Sequence, residues 1–241
     1  MFGVDILVAF VITQAAILAT TVYLHRALSH KALKLSPSVD FTFRLLLWIT
    51  TGINRQDWVG VHRRHHAYTD IEGDPHSPVL MGYWQVQLLN LFYYRRAAKE
   101  RVSINKYSKD LPADFWDKNV FSRAIIGLAI GVALLIAVFG VVPGLIIAGL
   151  HLVMYIGLSA AINAIGHSFG KRPFPNFATN NQWLALLTFG EGLHNNHHAL
   201  PTSARLAAQA RQVDPGWLVI RLLNYLGLAT VRTLSKTSGA T

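Results

Sequence analysis

Residues 124 to 142 read AIIGLAIGVALLIAVFGVV, nineteen apolar residues without a break. As a helix rising ~1.5 Å per residue the stretch is about 28 Å long, which matches the ~30 Å hydrocarbon core of a bilayer. Pro143-Gly144 follows and marks a tight turn, after which Leu145 to Ile162 returns as a second apolar stretch. The pair predicts a membrane hairpin. Val4 to Leu24 is a third stretch of this kind, interrupted by Asp5 near one end and by Thr13, Gln14 and other small hydroxyl residues. No positive region precedes it and it runs straight into a histidine motif, which argues for a retained span over a secretory signal.

The charges are segregated around these stretches. All 22 Lys and Arg fall in residues 26–123 and 171–236, and the positive-inside rule places both blocks on the cytoplasmic side. Three spans (4–24, 124–142 and 145–162) with the N-terminus outside satisfy that arrangement, leaving 25–123 and 163–241 in the cytoplasm. The expected fold is a single all-α polytopic membrane domain over 1–241: about three transmembrane helices, interfacial helices, and a cytoplasmic helical cap. Only a short polar tail, Ser235 to Thr241, stands apart. Phe41 to Ile53 is too short for a span and carries Arg44, which suits an interfacial or half-inserted helix. Trp217 to Ala229, with Arg221, reads the same way or covers the cytoplasmic part. The net charge of +10 therefore reflects topology, and no basic, aromatic-bearing module for nucleic acid is visible.

Absence of cysteine excludes disulfides, thiolate zinc sites, a cysteine nucleophile and a built-in iron–sulfur cluster. Eleven histidines remain as metal ligands, eight of them in three clusters: His25 and His30 in HRALSH, His62, His65 and His66 in HRRHH, and His194, His197 and His198 in HNNHH. Spacings of three and four put the imidazoles of each later cluster on one helix face, about 5–6 Å apart. His25 and His30 are five apart, about 140° around a continuous α-helix, and are expected to serve different parts of a site or straddle a helix end. The third span delivers Asn163 and His167 to the same membrane face. That is too many imidazoles for one tetrahedral ion and enough for two of higher coordination number. An all-nitrogen shell leaves iron and copper as the redox-competent choices. Outside the clusters, His76 sits in a two-proline loop and reads as a turn residue or a contact beside the site. His151 lies within the third span, as a helix-packing hydrogen bonder.

The pattern HxxxxH, HxxHH, HxxHH resembles the membrane fatty acyl desaturases, in particular the branch acting near the ninth carbon. The resemblance covers about Val4 to Pro201 and extends to Trp58 in DWVGVHRRHH, to GDPHSP with Asp74, Pro75 and His76, to NAIGHSFGKRP and to WLALLTFGEGLHNNHHALP. It implies that His25, His30, His62, His65, His66, His167, His194, His197 and His198 ligate two iron ions (Fe2+), with Asn163 reaching one of them through a water. It also implies oxygen as co-substrate and a fatty acyl-CoA, acyl-carrier-protein or acyl-lipid substrate drawn from membrane lipid metabolism. Electrons are expected from a separate donor of ferredoxin, rubredoxin or cytochrome b5 type with its reductase, because no HPGG signature of a fused cytochrome b5 occurs. Three departures stand out. Animal members carry a further hydrophobic helix before the span bearing the first motif, Leu193 stands where an aromatic is common, and Ala199-Leu200-Pro201 lacks the usual phenylalanine.

Iron-bound imidazoles need acceptors for their second nitrogen, and Asp57, Asp70, Asp74 and Glu191 are the candidates. The helix ending at His25 is expected to line the acyl path. Its small residues Ala9, Thr13, Ala16 and Thr20, with Trp58 nearer the site, suggest a tunnel open to long chains of roughly sixteen to eighteen carbons or more, since overpacking by one bulky side chain would exclude them. A hydroxylase, acetylenase or ketolase could use the same polyhistidine site. A metal transporter would need ligands near mid-bilayer, where Ala124 to Val142 offers none.

Overall fold

The computed structural model describes residues 2–234, so the polar tail at Ser235 to Thr241 lies outside them. The described residues are mostly helical. α1 (Phe2–Ala19) continues without interruption into a π-helical segment (Thr20–Ser29), followed by β1 (Leu33–Leu35), α2 (Pro37–Thr51) and α3 (Arg55–Ala67). Three helices follow on the loop side, α4 (Pro78–Met81), α5 (Tyr83–Lys99) and α6 (Arg101–Tyr107), then the apolar pair α7 (Ala124–Phe139) and α8 (Val141–Ala164). The chain closes with α9 (Gln182–Leu187), α10 (His194–Ala199), α11 (Pro215–Tyr225) and β2 (Ala229–Val231).

Among the described residues two helical stretches, Phe2–Ser29 and Val141–Ala164, are long and apolar enough to cross a membrane. The third expected span is shorter than its apolar run. α7 stops after 16 residues, about 24 Å, because the turn lies at Gly140 and not at Pro143-Gly144. Gly140 adopts φ 87°, open to glycine at little cost, and its carbonyl accepts the Gly144 N–H. Pro143 therefore sits in the first turn of α8, where a missing N–H costs nothing. The two strands, absent from an all-α expectation, pair antiparallel with Leu33 opposite Val231, tying the C-terminal segment beside the first histidine motif.

α8 is the central element, packed against α1, α5 and α7, and α2 lies against α7 and α1. Gly127 and Gly131 of α7 make the close approach of α2 possible, because a methyl group at either would meet a carbonyl oxygen of Trp48 or Ile49. α2 begins at the Ser36 cap and ends at Gly52, leaving its last carbonyls to be satisfied inside the packed bundle. Thr50 and Thr51 bond back to the Leu46 and Leu47 carbonyls, and His151 of α8 reaches the Thr50 carbonyl at 3.0 Å. Arg44 is buried on α2 in a forked pair with Asp114, with Asp117 bridging Arg44 and Arg55. That pairing is what lets α2 carry a charge into the interior.

Candidate metal centre

The first motif depends on the unusual helix that carries it. With i→i+5 bonding, seen in the His30 N–H to His25 carbonyl bond at 3.1 Å, the chain winds more loosely than an α-helix. Residues five apart then stack on one side, and the His25 and His30 ring centroids lie 4.8 Å apart. They face one centre, and because the helix ends at Ser29 with His30 as its cap the pair straddles a helix end, the second of the two arrangements expected.

Nine imidazoles converge in two groups. His25, His30, His62, His66 and His197 form one and His65, His167, His194 and His198 the other, with ligand atoms in each within 4.8 Å of one another. The nitrogens that face inward are Nε2 atoms: His30 to His62 at 2.8 Å, His197 to His66 at 2.9 Å, His25 to His197 at 3.0 Å and His198 to His194 at 3.2 Å. The opposite nitrogens of three rings are held by carboxylates. His25 Nδ1 donates to Glu191 at 2.7 Å, His167 Nδ1 to Asp70 at 2.7 Å and His65 Nδ1 to Asp74 at 3.0 Å. A ring donating from Nδ1 presents a lone pair at Nε2. His167 Nε2 is moreover buried without a hydrogen-bond partner. Lone pairs gathered nitrogen to nitrogen repel unless a cation lies among them, so the residues fit two metal ions.

Burial disfavours protonation of most of the rings. It pushes His62, His66, His194, His197, His198 and His30 well below the usual imidazole value, with neighbouring imidazoles adding to the effect. The carboxylates move the other way. Burial alone would raise Asp74, but its contact with the His65 ring outweighs it and holds the carboxyl down at about 2. Asp70 is likewise lowered against its burial by His167, and Glu191 by His25.

A match to the model of the fatty acid desaturase family extends over residues 5–212. The chain belongs to the fatty acid desaturase family. It is 35% identical to an acyl-CoA C20 Delta5-desaturase of Anemone leveillei over 89% of this chain and 69% of the relative. It is 31% identical to delta-9 acyl-lipid desaturase 1 of Arabidopsis thaliana, over 92% and 73%. To the sn-2 palmitoyl-lipid 9-desaturase of a Nostoc strain the identity is 34%, over 90% and 77%. This desaturase thus stands among oxidoreductases that act on fatty acyl chains.

Of the four candidate acceptors three meet a ligand imidazole, and Asp57 does not. It precedes His62 by five residues, about 140° around α3, and pairs with Arg101 instead. Asn163 lies in the last turn of α8, where its carbonyl accepts the His167 N–H. His76 is buried with its ring 4.9 Å from His65, and both ring nitrogens are unpartnered. Asp74, between them, is already committed to His65 and to the backbone N–H groups of Asp70 and His76, so it orients these residues and is not free to ligate. Trp58 stacks on His62 at 4.8 Å. Ala9, Thr13 and Ala16 are fully buried, and Thr13 Oγ1 lies 2.9 Å from His151 Nδ1.

Several site-building residues carried no metal-ligand signature. Thr21, one turn before His25, donates to Glu191. Buried Arg26 forks onto Asp214 and donates to the Phe189 and Ala204 carbonyls, joining the first motif to the segments flanking the third. The two asparagines inside HNNHH are anchors. Asn195 donates to the Phe174 and Ala178 carbonyls, and Asn196 to Leu206 and Gln212. Their signal was the repeated amide where helix α10 needed only spacing.

Proposed function

We propose that the desaturase inserts a cis double bond into a fatty acyl chain, near carbon 9, using two iron ions and molecular oxygen. The observation that carries this reading is the convergence of nine imidazoles into two groups whose inward nitrogens are lone-pair donors. The five-histidine group would hold one iron and the four-histidine group, with Asn163 through a water, the other. Bound iron supplies the oxidising power to break unactivated C–H bonds, which no side chain can. The balance is one acyl CH2–CH2, one O2, two electrons and two protons giving one CH=CH and two waters.

The protein's own part is positional. Glu191, Asp70 and Asp74 fix the tautomer and direction of three rings. Burial keeps His30, His62, His66, His194, His197 and His198 unprotonated and therefore able to bind metal at neutral pH. Trp58, flat against His62, is assigned to the wall where the acyl chain meets the centre, and Ala9, Thr13 and Ala16 to the deeper path along α1. Relatives named for position 5 and for position 9 support the class more firmly than the carbon number. The substrate is assigned as an acyl-CoA or acyl lipid, and the site to the cytoplasmic face.

The test is expression in a host unable to make unsaturated fatty acids, with mass spectrometry placing any double bond in the extracted lipids. A monounsaturated product dependent on iron and oxygen is expected. Hydroxylated acyl chains in place of unsaturated ones would move the assignment to a hydroxylase. Bulky replacements Ala9→Phe and Thr13→Phe should shorten the preferred chain, and an unchanged length profile in both would remove α1 from the path.

A further inference from the structure

α5 (Tyr83–Lys99) turns an apolar side outward. Trp84, Leu88 and Phe92 recur every four residues, share one face of the helix, and are 65, 70 and 60% exposed. Leu89 and Leu91 stand exposed beside them. In the last two turns the exposed residues are basic, Arg95, Arg96 and Lys99. The inward side is packed: Val86 and Ala97 are buried, and Tyr94 lies against Val61, Ala97 and Ile104. Two contacts fix the level of the helix relative to the apolar hairpin. A methyl group on Gly144 of α8 would meet the Ile136 backbone of α7, so these residues lie side by side. At equal rise along the two helices, Gly157 of α8 then falls level with Arg123, the exposed charge that starts α7. The Gly157 carbonyl accepts from Gln87 Nε2 of α5 at 3.1 Å. α5 therefore lies at the end of the hairpin, on the histidine side, beside the part of α8 that runs on past α7.

We propose that α5 is a membrane-surface helix, with Trp84, Leu88 and Phe92 set among the acyl chains of the leaflet on the histidine side and Arg95, Arg96 and Lys99 at the lipid phosphates. The inference takes α7 and α8 as a membrane hairpin and is independent of the chemistry at the histidines. It brings to the bilayer a helix that charge segregation had left with the cytoplasmic residues. Three features select lipid as the occupant. The patch begins at the level where the apolar surface of α7 ends, so a bilayer that covers the hairpin reaches it without a gap. A face of Trp, Leu and Phe joined to a group of cations is the composition of a helix lying in the interface, its apolar side chains a few ångströms below the headgroups. The long stems of Arg and Lys let their charges reach phosphate while the helix stays at the boundary, and Glu100, the acid that follows them, is held by Arg64. Water is the poorer occupant, because Trp84, Leu88, Leu89, Leu91 and Phe92 would form one bare apolar patch.

The chain contains no cysteine, so a single introduced thiol carries a single fluorescent label. The full chain is reconstituted in phosphatidylcholine nanodiscs as four variants: Leu88→Cys and Phe92→Cys on α5, Leu134→Cys on the exposed side of α7, and Val102→Cys on the exposed side of α6. Each label is quenched from the lipid by spin-labelled phosphatidylcholine and from water by iodide, after an unchanged thermal midpoint has shown that the variant is folded. Labels at Leu88 and Phe92 should be quenched by the lipid within about twofold of Leu134, and by iodide at least about fivefold less than Val102. Labels at Leu88 and Phe92 that behave like Val102 overturn the proposal. Protection from both quenchers also overturns it, and gives the face to a protein, a second copy of this chain included. In the Phe92→Cys background, Arg95→Gln, Arg96→Gln and Lys99→Gln together should raise iodide quenching about twofold or more, and an unchanged ratio overturns the phosphate contact. A Leu134 label open to iodide and closed to the lipid quencher would refute the hairpin itself, and the placement of α5 with it.

Discussion

The two histidine groups are built to different rules. The five-histidine group draws on the first, second and third motifs, has one carboxylate behind it, Glu191, and turns His30, His62 and His66 partly outward. The four-histidine group has fewer ligands, two carboxylates, Asp70 and Asp74, and only His198 partly outward. A position with more ligands and less backing can lose one and persist. A position with fewer ligands leaves room for an exchangeable one, and compensates by fixing the rings it has. On the proposed two-iron reading, the difference assigns metal retention to the first group and exchange of small ligands to the second.

The largest expected effect is therefore asymmetric. His167→Ala should empty the four-histidine position, halving iron per chain and removing activity, whereas His30→Ala should keep about two irons bound more weakly. Metal analysis of the two purified variants decides, and equal losses in both would break the comparison. Next in size, Asp74→Asn and Glu191→Gln should each lower affinity for one ion about 10- to 100-fold, at different positions. Cobalt(II) titration followed by absorption would resolve them. Loss of the same spectral component in both variants would show one coupled centre and no division of labour.

A smaller effect concerns pH. In the metal-free protein burial holds His30, His62, His66, His194, His197 and His198 below the unfolded value of about 6.5, so folded chains bind fewer protons than unfolded ones as pH falls. The contribution is fully present above about pH 6.5 and is lost progressively below it. Thermal unfolding of metal-free protein from pH 8 to 5 should show that decline, and a flat profile would mean the rings are not buried as neutral groups. The smallest effect serves as a control far from either group. Thr13→Val removes one contact to His151 and should cost only ~0.6 kcal/mol, with iron content unchanged.

Much of this was legible because the relevant signals are local and repetitive. Helix spacing within HRRHH and HNNHH predicts one-faced triplets, and α3 and α10 are helices over those residues. In the first motif the straddled helix end was legible, but the convergence of both rings on one centre depends on i→i+5 winding, which no composition rule reveals. The turn after α7 was misplaced because Pro143-Gly144 looks like a turn in isolation. The chain spends its positive φ at Gly140 and uses the proline to start a helix. Asp57 failed as an acceptor for the reason His25 and His30 succeeded: a five-residue offset means opposite things on an α-helix and on a π-helix. Arg26 was silent because its partners, Asp214 and the Phe189 and Ala204 carbonyls, lie in distant segments, contacts that leave no trace in spacing.

The bond between Arg26 and Asp214 spans 188 residues of sequence. During synthesis the first histidines emerge early and wait for His197 and for the Asp214 anchor, which are translated 172 residues after His25 and 188 residues after Arg26. Both metal positions need residues from α10, so neither exists on a nascent chain whose ribosome has yet to translate beyond residue 198. On the proposed two-iron reading, iron binds only after residue 198 has been translated. On that reading a cell short of iron should accumulate metal-free protein, a reserve that becomes active without new synthesis once iron returns.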